Sequence, residues 1–502
     1  MKKLFAITAC VTSAALLFCA CTNGGKEVAK SGKPTLRGLV NNVKIDLNTY
    51  PVAQMLEEKT GYKVEYDLLP QENVQEKLSL VLASGEDYDF ITLLPKYYNL
   101  YVDYAQQGAL TPLDELIDKD GKNMKKAFSE RTFNNMKVDG KIYSVVTADI
   151  PVGSKPSTTE MLLVRQDEMD TLGIKSPKTL DEFTAMLKTI KEKDPGNNKS
   201  QNVPLTLAGT TDVPGVYGAF GIANVWNDVN GKLVHRAEDP RYKEYLSYLH
   251  DLYTQGLLDP EFPTNKTATI QEKFTSGKAA IIPCYYWSVG TVTDSLNKNI
   301  PNATLGWLDP PKGKNGDCGF GVGGGNGINR LTVIPKTSNK AEDVIKWMDS
   351  KLDEDTFRDM VIGEEGKHYT VKDGEYWPIL PTFFDERSYA NEFLTGIDES
   401  VYANYWKARV RKDERVYNAF KYMCLDERIL DFGVQNPVED VPIMEGQKNE
   451  AALNQLLQDY SVKVVTGAEP ISDYDKFLSK WKSAGGEQWS NEMNEWYTNK
   501  NK

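Results

Sequence analysis

At 502 residues the chain is too long for one hydrophobic core, so two or more lobes are expected. With 40% hydrophobic and 26% charged residues it has the composition of a soluble globular protein. Its formal net charge of −12, with no basic stripe, argues against a nucleic-acid partner.

The chain opens with a basic stretch, Met1-Lys2-Lys3, followed by an apolar run from Leu4 to Phe18 and then Ala20-Cys21. This pattern reads as a secretory signal over residues 1–20, too short and wrongly flanked for a membrane span. The small residue before Cys21 fits a lipoprotein cleavage site, which would leave a diacylated Cys21 as the mature N-terminus. The expected location is extracytoplasmic, lipid-anchored to the cell membrane. Residues 21–34 read mostly as a polar, Gly-containing tether. Beyond Cys21 only Cys284, Cys318 and Cys424 remain, which cannot make a full disulfide framework and contain no C-x-x-C pair.

Strand–helix–strand–helix–strand is predicted from Thr35 to Leu94. The apolar runs Thr35–Val40, Lys63–Leu69 and Asp89–Leu94 alternate with helical spacing over Tyr50–Thr60 and Val74–Ala83. That order implies a parallel doubly wound sheet. Asp139-Gly140 marks a turn into a strand, and from Val145 the chain extends through Asp149 and Pro151 toward a second lobe. Met161–Arg165 reads as a buried strand, and Thr179 with Glu182 as a capping box. Asp194 is the only carboxylate in the 194–203 loop, too few oxygen ligands for calcium, so no metal is expected. Tyr242–Gln255 is a helix stopped by Gly256.

The stretch Gln271–Trp287 organises the second lobe. It reads as a helix end, a turn at Ser276-Gly277-Lys278, a buried strand Ala279–Ile282, a stop at Pro283, and three aromatics, Tyr285, Tyr286 and Trp287. Ligands of open α/β sheets bind outside the carboxyl ends of the strands, where such aromatics can offer a flat platform. The glycine run Gly319–Gly327 contains G-x-G-x-x-G but leads into the strand-like Leu331–Pro335 rather than a helix, so it reads as a hinge and not a nucleotide site. Trp481, Trp489 and Trp496 share a helical spacing that suits docking against a lobe.

Phe274-x-Ser-Gly-Lys-Ala-Ala followed by aromatics resembles the extracellular solute-binding proteins of bacterial ABC importers, family 1, in their longer lipoprotein branch. Further segments agree in order: Asp103-Tyr-Ala-Gln-Gln-Gly-Ala-Leu-Thr-Pro-Leu, Asp139-Gly-Lys-Ile-Tyr, Met161-Leu-Leu-Val-Arg-Gln-Asp, Pro177-Lys-Thr-Leu-Asp-Glu-Phe, Leu252-Tyr-Thr-Gln-Gly-Leu-Leu-Asp, Gly366-Lys-His-Tyr and Val465-Thr-Gly-Ala-Glu-Pro-Ile. The resemblance implies an α/β fold of the type 2 periplasmic-binding kind: two lobes, each a doubly wound sheet flanked by helices, with extra C-terminal helices. The expected division is 35–148 with 328–350 as the first lobe, and 149–327 with 351–502 as the second. Hinges are expected near Ser144–Val152 and Gly321–Asn329.

The function so implied is a monomeric surface lipoprotein that captures a ligand in the interlobe cleft and delivers it to the transmembrane subunits of an ABC permease, with no cofactor. Ligand-contact candidates at strand ends are Asn41, Asn42, Lys96, Tyr97, Asp149, Tyr217, Trp226, Tyr286, Trp287 and Trp377. Sugar C–H faces stack on aromatic rings while hydroxyls bond Asn, Asp and Lys, so the mixture suits an oligosaccharide. Acidic sugars held by Lys96 or Arg330, and peptides, stay open. A surface glycan-degrading enzyme is the alternative of another class. The chain has no H-E-x-x-H, G-x-S-x-G or G-x-x-x-x-G-K-[ST] motif, and His235, His250 and His368 are scattered.

Overall fold

The computed structural model describes residues 32–323, 326–441 and 444–500. The expected signal, Cys21 and most of the tether lie outside the described residues, as do Gly324 and Gly325 of the glycine run.

Nine strands build the two principal sheets: β1 (Leu36–Val40), β2 (Val64–Leu68), β3 (Phe90–Leu93), β4 (Ser144–Ala148), β5 (Glu160–Arg165), β6 (Val203–Leu205), β7 (Ala279–Tyr285), β8 (Leu305–Leu308) and β9 (Ile328–Val333). The first sheet has the order β2-β1-β3-β9-β4 and the second β8-β5-β7-β6. β1 runs parallel to β2 and β3, as strand–helix alternation predicts, but β9 is antiparallel to both β3 and β4. In the second sheet only β6 and β7 are parallel. The antiparallel members arise because the chain leaves each lobe and returns to it, a long-range event that local patterning does not record.

Local chemistry accounts for most element ends. Gly61 closes the Pro51–Thr60 helix at φ 71°, and its N–H bonds the Glu57 carbonyl. Asp139 and Gly140 both have positive φ, as a two-residue type I′ hairpin turn requires, between Lys137–Val138 and Lys141–Ile142. Thr179 caps the Leu180–Lys193 helix by accepting from the Glu182 N–H at 3.2 Å.

Pro283 does not end its strand: β7 continues to Tyr285. Tyr286 N–H bonds Thr159 on the β5 side, whereas the Ile281 carbonyl accepts from Thr206 on the β6 side. Odd positions of β7 therefore face β6. Its last ladder pair is Leu205 with Ile281, so the proline nitrogen meets an edge that is already unpaired.

The second sheet is buried on both faces. Leu162, Val164, Ala280 and Ile281 belong to one apolar cluster, and Met161, Leu163, Ile282 and Cys284 to another. The first cluster takes in the C-terminal tryptophans: Trp481 is fully buried and Trp489 nearly so. They sit on separate helices, Tyr474–Trp481 and Glu487–Lys500, split at Gly485 with φ 117°.

The lobe division differs from expectation after residue 350. Leu352, Phe357, Met360, Phe383, Phe393, Ile397, Tyr405 and Ala408 all lie in the core of the first lobe. The second lobe resumes at Val410 and continues through Phe420 and Met423. An amphipathic helix shows which residues it will bury but not against which lobe, so the assignment of all of 351–502 to the second lobe is corrected for the part up to Ala408.

Candidate functional site

The carboxyl ends of β1, β3 and β4 deliver Asn41, Lys96–Tyr97 and Asp149 to one edge of the first sheet. The carboxyl end of β7 delivers Tyr285–Trp287 to one edge of the second. Glu160, which starts the antiparallel β5, lies opposite Tyr285 in register. The two edges approach each other: after the larger effect of burial, the Asp149 charge helps raise the pKa of both the Tyr286 and Tyr402 hydroxyls. Asp149 is open to solvent, yet desolvation by the surrounding protein raises its own pKa, with Arg131 opposing, as fits a carboxylate on the floor of a cleft.

Tyr285 and Trp287 form an open aromatic platform. Their rings stack at 4.5 Å and 9°, and they are 39% and 51% exposed. Tyr286, between them, is buried at 4%, meets Phe420 edge-on, and accepts a hydrogen bond from Trp406 Nε1 at 3.2 Å. The strand ends at Tyr285 and Tyr286–Ser288 forms a 3-10 turn, which turns Tyr286 inward between its two exposed neighbours; Tyr285, part of the aromatic run, was not among the ligand-contact candidates.

Glu160 is the site residue that sequence reasoning missed. Its backbone closes a turn with Thr158, while its carboxylate makes no hydrogen bond or ion pair among the described residues. Burial pushes its pKa up to about 7, with Asp212 adding to the rise. Asp212 is paired with Arg236 at 3.0 Å, and the Arg236 guanidinium lies 4.8 Å over the Tyr217 ring. Burial raises the Tyr217 pKa, with Asp212 next in effect. Tyr217, Glu160, Tyr285 and Asp212 therefore form one neighbourhood.

The remaining candidates divide. The Asn41 Nδ2 donor is buried and has no hydrogen-bond partner among the described residues, whereas Asn42 Nδ2 donates to the Leu69 carbonyl at 3.0 Å. Lys96 is exposed over the Tyr97 ring at 5.0 Å. Arg330 is engaged by Glu392 at 3.0 Å and by the Asn391 carbonyl. Trp377 is 38% exposed under the Arg411 guanidinium at 4.6 Å, on a hairpin whose Tyr369 is in the first lobe's core. Trp226 lies in the second lobe's core, 5% exposed and edge-on to Trp489 at 5.2 Å, so the structure does not bring it to the platform.

The histidines and thiols serve packing. His235 is fully buried against Trp481, and desolvation lowers its pKa to about 3. His368 accepts from Glu364 N–H and pairs with Glu386. Burial pushes the Cys284 thiol up to about 12 and Cys424 to about 11. In the 194–203 loop both Asp194 oxygens accept backbone N–H groups, from Asn198 and Lys199, which closes the loop internally.

Comparison with known proteins identifies the family and the fold. The family model described as bacterial extracellular solute-binding protein matches residues 48–351. The polygalacturonan/rhamnogalacturonan-binding protein YtcQ of Bacillus subtilis is 25% identical over 454 residues, covering 86% of this chain and 85% of that protein. Lipoprotein LipO of the same organism is 26% identical over 467 residues, covering 89% and 88%. The Streptococcus pneumoniae ABC-transporter substrate-binding protein FusA, solved in complex with kestose, superposes with a TM-score of 0.74. Its sequence identity is 19%, and the match covers 93% of this chain and 99% of that one.

Two expectations follow. Trp287→Ala should weaken binding of the cleft ligand by about 1–3 kcal/mol through lost stacking, with little change in melting temperature, because the ring is half exposed. Calorimetry and thermal melting on the same variant check this; a large stability loss at unchanged affinity would contradict it. The second concerns pH. The folded Glu160 carboxyl holds its proton up to about pH 7, against 4.5 for the ordinary group. The stability this contributes is present below the unfolded pKa and is lost as pH rises through the folded one. Glu160→Gln should therefore raise the melting temperature at pH 8 and lose that advantage toward pH 4.5; an advantage independent of pH would refute the assignment.

Proposed function

The chain belongs to the bacterial extracellular solute-binding proteins, and from that premise we propose that it captures an oligosaccharide between its lobes and delivers it to an ABC permease. The observation that carries the reading is the exposed, stacked Tyr285–Trp287 pair at the carboxyl end of a central strand. Sugar rings present C–H faces to such platforms and hydroxyls to the polar groups around them. Here those groups are Glu160, Asp149 and the unpartnered Asn41 amide. Relatives that bind carbohydrate, YtcQ by name and FusA in its kestose complex, support the ligand class. The family is one of binding proteins, and the reading assigns no catalytic step.

The protein acts as a monomer held at the outer face of the membrane by lipid on Cys21. The lipoprotein relative and the basic–apolar–Ala20-Cys21 pattern support this anchor. Cys21→Ser should move the protein from the membrane fraction to the medium or periplasm, and persistent tight membrane association would refute it.

The ligand class is tested by thermal-shift screening against oligosaccharides and peptides. A ligand at 100 times its dissociation constant adds about 2.7 kcal/mol to stability. A shift with a saccharide is expected, and a shift confined to peptides would overturn the proposal.

A further inference from the structure

Resting on the saccharide reading above, we infer that the subsite at Tyr285 and Trp287 accepts an uncharged sugar ring and excludes uronates, with Glu160 as the selecting group. Glu160 lies directly across the strand pair from Tyr285, so a ring stacked on the platform comes within reach of its carboxylate. That carboxylate has no partner among the described residues. An ionised carboxylate only accepts hydrogen bonds; a sugar hydroxyl can donate to it, and a ligand carboxylate cannot.

The charges around the subsite point the same way. The one neighbouring charge that acts on Glu160 is Asp212, a second carboxylate, which adds to the effect of burial. Three arginines near the cleft are already engaged. Arg236 is 7% exposed and paired with Asp212. Arg330 is held by Glu392. Arg131 binds Asp440 through Nε at 2.8 Å and Glu439 through Nη2 at 3.0 Å. Lys96 is exposed, but it stands on the first lobe over Tyr97. A uronate seated on Tyr285 and Trp287 would thus meet a partly desolvated like charge, an arrangement that specific sites use to reject ligands. Among saccharides, this sets the expected ligand of the chain apart from that of YtcQ, whose name specifies polygalacturonan.

The test is titration calorimetry at pH 8 with maltotriose, galactotriose and kestose, each also supplied with its primary hydroxyls oxidised to carboxylates, on the natural protein and on Glu160→Gln. The substitution removes a charge that burial disfavours, so the variant is expected to fold. The natural protein should bind at least one neutral trisaccharide and prefer it over its oxidised form by about tenfold or more, the scale of one pKa unit of interaction. Glu160→Gln should narrow that ratio by tightening the oxidised ligand. A natural protein that prefers an oxidised form, or a ratio unchanged in the variant, overturns Glu160 as the selecting group and leaves the saccharide reading intact. Failure of every trisaccharide to bind overturns both.

Discussion

The geometry of the cleft depends on where β9 sits. It is antiparallel to β4 and pairs Ile328 with Ala148, and the Asp149 N–H then bonds the Gly327 carbonyl at 2.8 Å. The outgoing and returning crossings are therefore hydrogen-bonded to each other at the point where they leave the first sheet. This fixes Asp149 on the cleft floor and sets the direction in which the second lobe departs. The glycines that precede the return crossing also have a packing role. A Cβ on Gly218 would lie 1.9 Å from the Gly319 carbonyl, and one on Gly321 would lie 2.5 Å from that of Ala223. Close backbone approach within the second lobe, beyond any hinge motion, requires glycine there.

Some buried charges of the cores are well supplied with partners: Arg409 donates to the Val361 and Arg387 carbonyls, and Asp259 accepts from Thr206, Asn265 and Lys273. At the cleft the Asn41 amide is a buried donor without a partner, and the half-buried Glu160 carboxylate makes no hydrogen bond or ion pair among the described residues. An unsatisfied buried donor or acceptor costs about 1–3 kcal/mol, so a ligand hydroxyl that accepts from the Asn41 amide gains what the empty protein forgoes. The desolvation that disfavours Glu160 in the free protein is thus part of what makes the site discriminate.

Much of this was legible in the residues. Strand–helix alternation placed β1 to β3, and Gly61, Asp139-Gly140 and Thr179 marked ends that the backbone honours. The aromatic run after β7 pointed to the platform. What the sequence concealed was allegiance over distance. Trp226 and Trp287 were both ligand-contact candidates, yet one packs on Trp489 and the other stacks on Tyr285 in the open. Glu160 carries no motif at all; only the antiparallel register of β5 against β7 brings it to Tyr285. The helices after residue 350 showed their apolar faces without showing which lobe would cover them.

Those helices bear on how the lobes can move. The Tyr402–Val410 helix puts Tyr405 and Ala408 into the first core and Val410 into the second lobe's cluster, while Trp406 donates to Tyr286 directly behind the platform. Its attachments are buried apolar side chains, and fully burying one such side chain contributes about 1.5–3 kcal/mol. Another link between lobes, Arg131 to Asp440 and Glu439, joins groups 38–40% exposed; surface pairs of that kind contribute about 0–1 kcal/mol. The ion pairs can therefore exchange partners during a lobe movement at little cost, whereas the helix must keep its seat in both cores. A lobe movement that kept these buried contacts would leave Tyr286 anchored to Trp406, and with it the base of the platform.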